Sequence, residues 1–421
     1  MRAIITVGLG FGDEGKGSVV DFLCRKFKSS LVIRYNGGLQ AAHTVCLPNG
    51  KKHTFHQFGS GTLAGAKTYL DKNVIISPYH MKVEALDLVK LGVHNPMFNM
   101  MVHPKALVST VFHMLINKAA EICRTNKHGT CCAGIGATRQ YWLKYGADAI
   151  IAKDCATDFD VLVDKLHLLK HRLLTDFSST LPEKMCASHP VCEVLNDINR
   201  SDVNKIARKI RSDSCDISLH ETPHYIKDDQ VVIFEGAQGV LLDQYYGFYP
   251  YTTWSTTTTE HALERIDMDS YGGQVQTIGI CRAHMSRHGA GPMPTEDTKI
   301  TWKDENNPHN PWQGHFRYGY LDIPLIDYAI KCNGGVDGIF VTHMDQQLDS
   351  VATAYHYPDY NLLDPVPNPQ YQATITKQLG MVQPYYEETN ALTQLSKLRR
   401  VVGTSKGKTH EDKHLHATLF S

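Results

Sequence analysis

Net charge is the first thing this chain lacks. Lys plus Arg and Asp plus Glu each number 43 in 421 residues, so no overall field draws it to nucleic acid or to an anionic membrane. Any anion it binds must be met by local groups. Also missing is an apolar run of the roughly eighteen residues a membrane span needs, and no signal-like apolar segment precedes the first strand-like run, so the expected location is the cytoplasm. There are eleven cysteines but no C-x-x-C pair, which argues against structural zinc. The adjacent Cys131 and Cys132 suit reduced thiols better than a disulfide framework. No internal repeat or low-complexity linker divides the chain, so residues 1–421 are expected to form one catalytic domain.

What is present is an alternation of strand-like and helix-like runs. Ala3 to Val7, Leu31 to Tyr35, Asn73 to Ile76, Val231 to Phe234, Val275 to Ile280 and Gly338 to Thr342 have strand length and composition. Leu162, Leu166, Leu169 and Leu173 mark a helix, and Leu325, Ala329 and Ile330 mark another just before GIFVT. This predicts an α/β fold, a single large domain with a central, mostly parallel sheet, a P-loop-like first strand-turn-helix and helical insertions. One such insertion is expected around 181–223. The stretches Asn306 to Gln313 and Pro358 to Pro369 read as long surface loops of the kind that cover substrates.

The most informative segment is Gly8 to Ser18, GLGFGDEGKGS. It lies between the strand AIITV and a helix carrying Val19, Phe22, Leu23 and Phe27. A glycine-rich turn at a helix N-terminus favours an anion, because backbone N–H groups and the positive end of the helix dipole point at it. Gly10 to Lys16 fits G-x-x-x-x-G-K, but Gly17 stands where a P-loop carries the Ser or Thr that holds magnesium. Asp13 would repel a phosphate unless a divalent cation lay between them, or unless its carboxylate did proton chemistry on a neighbouring substrate.

Four more segments carry polar groups that converge on a nucleotide. RYNGGLQAAHT, Arg34 to Thr44, follows a strand, which places Gln40 or His43 at the strand's carboxyl end, where open α/β sheets bind ligands. Glu235 to Thr259 supplies the Glu-Gly-Ala-Gln turn, whose amide can read a base edge. Its threonine run offers hydroxyls for phosphate, or else an edge strand. SRHGAGPMPTE, Ser286 to Glu296, is a rigid turn bearing one guanidinium suited to carboxylate or phosphate. THMD, Thr342 to Asp345, ends a strand with a carboxylate that can pair with a guanine edge.

In this order the segments resemble those of the adenylosuccinate synthetases, from end to end of the chain. Motifs similar to that family's GDEGKGK, GGxNAGHT, EGAQGxLLD with YPYVTSSNTT, TRxGxGPFPTE, GWLD and TKLD occur as Gly12 to Ser18, Gly37 to Thr44, Glu235 to Thr259, Ser286 to Glu296, Gly319 to Asp322 and Thr342 to Asp345. Gly129 to Ala137 looks like the family's phosphate loop, and Gly403 to Lys408 like its C-terminal nucleotide loop. The resemblance is weakest in Leu181 to Pro223 and Asn306 to Phe316.

It implies a ligase that joins aspartate to C6 of IMP with GTP, through a 6-phosphoryl intermediate. Asp13 would remove the N1 proton, His43 would stabilise charge on the moving γ-phosphoryl group, and Lys16 would hold phosphates, with Gly12, Glu14, Gly15 and Gly17 around them. Mg²⁺ would sit on Asp13 and the carbonyl of Ala42. Gln238 would contact the purine, and Gln40, Thr130, Cys131 and Thr253 would surround the acceptor's 5′-phosphate. Asp345, His343, Thr404 and Lys408 would take the guanine nucleotide, and Arg317, Arg287 and Thr295 the amino acid. The resemblance further implies a homodimer in which an arginine reaches the partner's phosphate site, near Arg139 or Lys144.

Several positions depart from the family pattern. Gln40 and Ala42 replace Asn and Gly, Cys131 replaces a threonine, His343 replaces a lysine, and Trp254 enters the threonine stretch. The arginine-rich loop before GWLD is reduced to GHFRYGYLD, with Arg317 and His315. Three readings follow. The first is the ordinary enzyme. The second is a relative of the viral enzymes that aminate a guanine nucleotide to 2-aminoadenylosuccinate, with an altered donor, or a member using another amino acid. Retention of Asp13 favours IMP, whereas Gln40 and the thinned arginine loop favour divergence. The third is a GTP-binding switch, which Gly17 and the complete set of acceptor-side motifs disfavour.

Overall fold

The structure is a computed structural model that describes residues 2–124, 130, 132–180, 190–223, 231–269, 272–302, 314–356 and 363–420. Its centre is a ten-stranded sheet. In chain order the strands are Arg2–Gly8 (β1), Leu31–Arg34 (β2), Lys67–Leu70 (β3), Met100–Val102 (β4), Ser218–Leu219 (β5), Val231–Glu235 (β6), Gln274–Arg282 (β7), Gly338–Thr342 (β8), Val401–Ser405 (β9) and Lys413–Leu415 (β10). They lie side by side as β10-β9-β8-β7-β1-β6-β2-β3-β4-β5. Every neighbouring pair is parallel except β9 with β10. The α/β expectation, with a mostly parallel sheet, is met.

The inner strands read as unbroken apolar runs because helices cover both faces of a parallel sheet, and successive side chains alternate between them. Ile4, Ile233, Ile278 and Phe340 pack on one face with Val19, Val20 and Leu23 of helix Lys16–Phe27 (α1). Ala3, Ile5, Ile33, Val232 and Phe234 pack on the other with Ala262 and Ile266. The predicted leucine helix is Phe159–Ser178, with all four leucines buried, and Ile323–Cys332 is the helix before GIFVT. Within 181–223, helices Pro190–Arg200 and Val203–Ser214 precede β5.

Two expectations change. Asn73 to Ile76 contributes only the two-residue strand Ile75–Ile76, which pairs with Leu107–Val108 outside the main sheet. Asn73 lies in a turn closed by the Val74 N–H on the Asp71 carbonyl. The threonine run forms no strand. Thr257 instead gives its N–H and hydroxyl to the buried Asp243 carboxylate, and the carbonyl of Thr256 accepts from Asn36. The loop reading of Asn306 to Gln313 lies outside the described residues, as does 358–362 of the second loop.

Among the described residues no helix is long and apolar enough to cross a membrane, and the nine described cysteines are free thiols. The register decides where chemistry can occur. Thr6 is level with Glu235, Gly8 with Ile280, and Arg282 with Thr342. The loop after β1 therefore meets Glu235, Arg282 and Thr342 at one carboxyl edge, where open α/β sheets bind ligands.

Candidate active site

The loop between β1 and α1 is organised around one of its own carboxylates. Glu14 is 2% exposed. It accepts the N–H groups of Gly10 and Gly12 at 3.0 and 2.8 Å and pairs with the Lys16 ammonium. The resemblance set Glu14 among the donor phosphates; the structure turns it inward, because these loop amides need an anion and Glu14 supplies it from within. Asp13 is left facing the crevice, in the left-handed backbone region at φ 58°. Its carbonyl accepts from the Arg282 Nε–H at 2.7 Å. Burial pushes the Asp13 carboxyl above its ordinary range, and the Arg282 guanidinium opposes that rise. Thr342 ties the far side of the loop down, its hydroxyl donating to the Glu14 carbonyl at 2.7 Å.

His43 begins the strand His43–Cys46 and lies against the first turn of α1. A Cβ on Gly17 would come within 2.6 Å of the His43 Cβ and 3.0 Å of the Ser60 hydroxyl oxygen. This explains the departure from a P-loop: the place of the Ser or Thr is taken by the histidine. Gly17→Ser, which restores the P-loop residue, is therefore expected to displace His43 and to cost about 1–3 kcal/mol of stability by overpacking. Thermal unfolding and kcat should both fall; unchanged turnover would contradict this packing.

Behind His43, its Nδ1 lies 2.5 Å from Oε1 of Glu235, which is fully buried. Burial lowers the affinity of the ring for a second proton, against the pull of Glu235. Burial also opposes ionisation of Glu235, but His43, Arg34 and Ser60 hold its carboxyl at about 2. With Glu235 ionised, the hydrogen between the two groups is carried by Nδ1 of His43.

These groups open onto a cavity of about 1540 Å³. Of the residues singled out in the sequence, Gly12, Asp13, Gly15, Lys16, Gly17, Gln40, Ala42, His43, Thr130, Gln238, Thr253, Arg287, His343, Asp345 and Lys408 line it. Both amide atoms of Gln40 and Oε1 of Gln238 are buried without a protein partner. Buried polar atoms without partners are costly, so these two amides mark where a ligand would supply hydrogen bonds. Burial lowers His343 to about 2, so its ring is neutral at neutral pH, and Nδ1 lies 3.0 Å from the Thr342 hydroxyl.

Other expected site residues sit differently. Cys131 lies outside the described residues. Thr404 and Thr295 do not reach the lining: the Thr404 hydroxyl pairs with His416 Nε2 at 2.8 Å, and that of Thr295 donates to the Tyr320 carbonyl at 2.7 Å. Arg317 is likewise outside it, paired with Glu296 and donating to the carbonyls of Gly289 and Gly291 at 2.9 and 3.0 Å. Arg287 lines the cavity but is 2% exposed, and its guanidinium donates to the carbonyls of Ala290, Pro292 and Tyr251. Burial first, then the nearby Arg317 charge, lower it to about 9. Both arginines hold the 289–296 turn.

Sequence reasoning missed Arg282, which lines the cavity beside Asp13. A cation at the last position of a central strand was the available signal.

A metal fits the donor set. Asp13, with a carboxylate, and Ala42, with a carbonyl, both line the cavity. Mg²⁺ is commonly bound by one or two carboxylates together with waters and substrate phosphates. No cluster of three or more His, Cys, Asp or Glu able to hold a metal by themselves occurs among the described residues.

Comparison with known proteins gives a family. A family profile described as adenylosuccinate synthetase matches residues 5–403. The chain is 30% identical over 410 residues to the adenylosuccinate synthetase of Thermoplasma volcanium, covering 94% of this chain and 86% of that one. It is 31% identical over 364 residues to that of Francisella philomiragia, covering 85% and 81%. In fold it is similar to the fully ligated adenylosuccinate synthetase of Plasmodium falciparum, with a TM-score of 0.73 at 19% identity, covering 98% of this chain and 99% of that one. It is also similar to the succinoaminodeoxyadenylate synthetase of cyanophage S-2L bound to dGMP and dATP, with a TM-score of 0.63 at 16% identity, covering 99% and 96%.

Proposed function

The chain belongs to the adenylosuccinate synthetase family and is a carbon–nitrogen ligase of that type, and from this premise we propose that it joins aspartate to C6 of IMP at the expense of GTP, releasing GDP and phosphate. The observation that supports this reading is the convergence of Asp13, His43, Gln40, Gln238 and Asp345 on one cavity.

Asp13 takes the N1 proton of the bound purine, so that electron density moves to O6. O6 attacks the γ-phosphorus of GTP, and the bond to the bridging oxygen breaks with GDP leaving. His43 steadies the charge that develops on the transferring group. The uncharged amine of aspartate then adds at C6 and gives up one N–H proton to the departing phosphate, as the C6–O6 bond breaks and phosphate leaves carrying O6. Gln238 orients the purine. Gln40, Thr130 and Thr253 hold the acceptor's phosphate, and Asp345 accepts hydrogen bonds from the donor base. Mg²⁺, held by Asp13 and the Ala42 carbonyl, would supply neutralisation of phosphate charge. A homodimer and a cytoplasmic location complete the proposal.

The 6-phosphoryl step has a direct test. IMP labelled with ¹⁸O at O6 should deliver its label to inorganic phosphate. Label that stays in the nucleotide or goes to water would contradict the step.

The second reading, a guanine-nucleotide acceptor with a different donor, is favoured by one observation. His343, where the family pattern has lysine, is a half-buried neutral ring on the cavity wall, which changes the hydrogen bonds open to the donor base.

A further inference from the structure

The turn that begins at Glu235 contributes Gln238 to the proposed site and leaves Glu235 without a role. Yet both of its oxygens are engaged. Oε1 meets Nδ1 of His43 at 2.5 Å and accepts from the Ser60 hydroxyl, while Oε2 accepts from the Ser60 backbone N–H at 2.9 Å. Glu235 is level with Thr6 of β1 and with Arg34 of β2, so it stands in the middle of the sheet.

We propose that Glu235, clamped by Ser60, is a positioning residue that fixes the tautomer and ring plane of His43 and so presents Nε2 to the transferring phosphoryl group. An ionised carboxylate only accepts hydrogen bonds, so the ring nitrogen against it must carry the hydrogen. The base of the side chain is also fixed in place, since α1 approaches so closely at Gly17 that an added Cβ would collide with the His43 Cβ and crowd the Ser60 hydroxyl. His43, Ser60, Glu235 and the start of α1 therefore act as one packed unit. Through it the sheet sets the direction of a side chain that lines the cavity. A carboxylate buried only to stabilise the fold would be a poor choice, because its desolvation is costly and apolar packing serves as well.

The kinetic part of this inference rests on the ligase reading above; the spectroscopic part does not. With IMP, aspartate, GTP and Mg²⁺, Glu235→Ala is expected to lower kcat roughly 10²-fold, while the three KM values move less than about threefold, as when a partner that orients an active-site histidine is lost. Glu235→Gln, which keeps an acceptor oxygen, should recover part of the loss, and Ser60→Ala should lose less than Glu235→Ala. In a His43→Ala background, Glu235→Ala should lower kcat less than about threefold further, because the two residues act as a unit. Full multiplication of the two losses would overturn the proposal.

If Glu235→Ala does not fold, ¹⁵N-histidine spectra of the unaltered protein decide. The His43 signal, assigned by its absence in His43→Ala, should show the Nδ1–H form; an Nε2–H form overturns the proposal. These spectra need no turnover, so a chain that makes no adenylosuccinate would refute the ligase reading while leaving the hydrogen-bond arrangement testable.

Discussion

Asp13→Asn is expected to leave nucleotide affinity within about threefold while kcat falls by roughly 10³–10⁴, because an amide cannot take the N1 proton. The backbone asks little of the change: asparagine tolerates the left-handed conformation that Asp13 adopts at φ 58° about as well as aspartate does. The inward Glu14 carboxylate would still hold the loop, so the loss would reflect chemistry rather than folding. The pH dependence has a definite sign. Burial raises the Asp13 carboxyl, partly offset by Arg282, and the base works only when ionised. In the metal-free protein Asp13 should therefore take up its proton at a pH above that of an ordinary aspartate, and Mg²⁺ on its carboxylate should bring that point down. Equilibrium binding and single-turnover kinetics check both halves, and appreciable product from Asp13→Asn would remove Asp13 as the base.

The second large effect concerns the donor. Asp345 lies on the cavity wall in the turn after β8, next to His343. Its carboxylate suits the two N–H edges of guanine, and a site built to pair with polar edges rejects an analogue lacking them by roughly 10⁴–10⁵. Asp345→Asn should narrow the ratio of kcat/KM for GTP over ATP by a large part of that factor, mainly through loss with GTP. His43 and the acceptor KM should be unaffected, since Asp345 belongs to a different strand end. An unchanged ratio would place the donor base elsewhere.

Glu235 and Arg287 show how far the sequence carries. The strands at 2–8, 231–235, 274–282 and 338–342 were legible because apolar runs of strand length stand between helical spacings, and a parallel sheet needs such runs. The Asp13 loop was legible because its glycines and charges are contiguous. Glu235 was not, because its meaning depends on His43, 192 positions away, and only the order of strands brings them together. Arg287 looked like a grip for a carboxylate, but three backbone carbonyls of the surrounding turns claim its donors, and a sequence does not display which carbonyls curl back. Arg317 is claimed in the same way by Glu296. Gly17 carried a readable signal, the missing Ser or Thr, whose cause was the histidine packed against it.

The identity of the substrates is read most plainly from the mass of the product. The purified chain would be incubated with Mg²⁺ and aspartate over a matrix of IMP, GMP and dGMP as acceptors against GTP, ATP and dATP as donors. Adenylosuccinate is expected from IMP with GTP, and no product from the guanine acceptors. A 2-aminoadenylosuccinate product from GMP or dGMP would contradict that expectation and assign the changes at Gln40 and His343 to a different substrate.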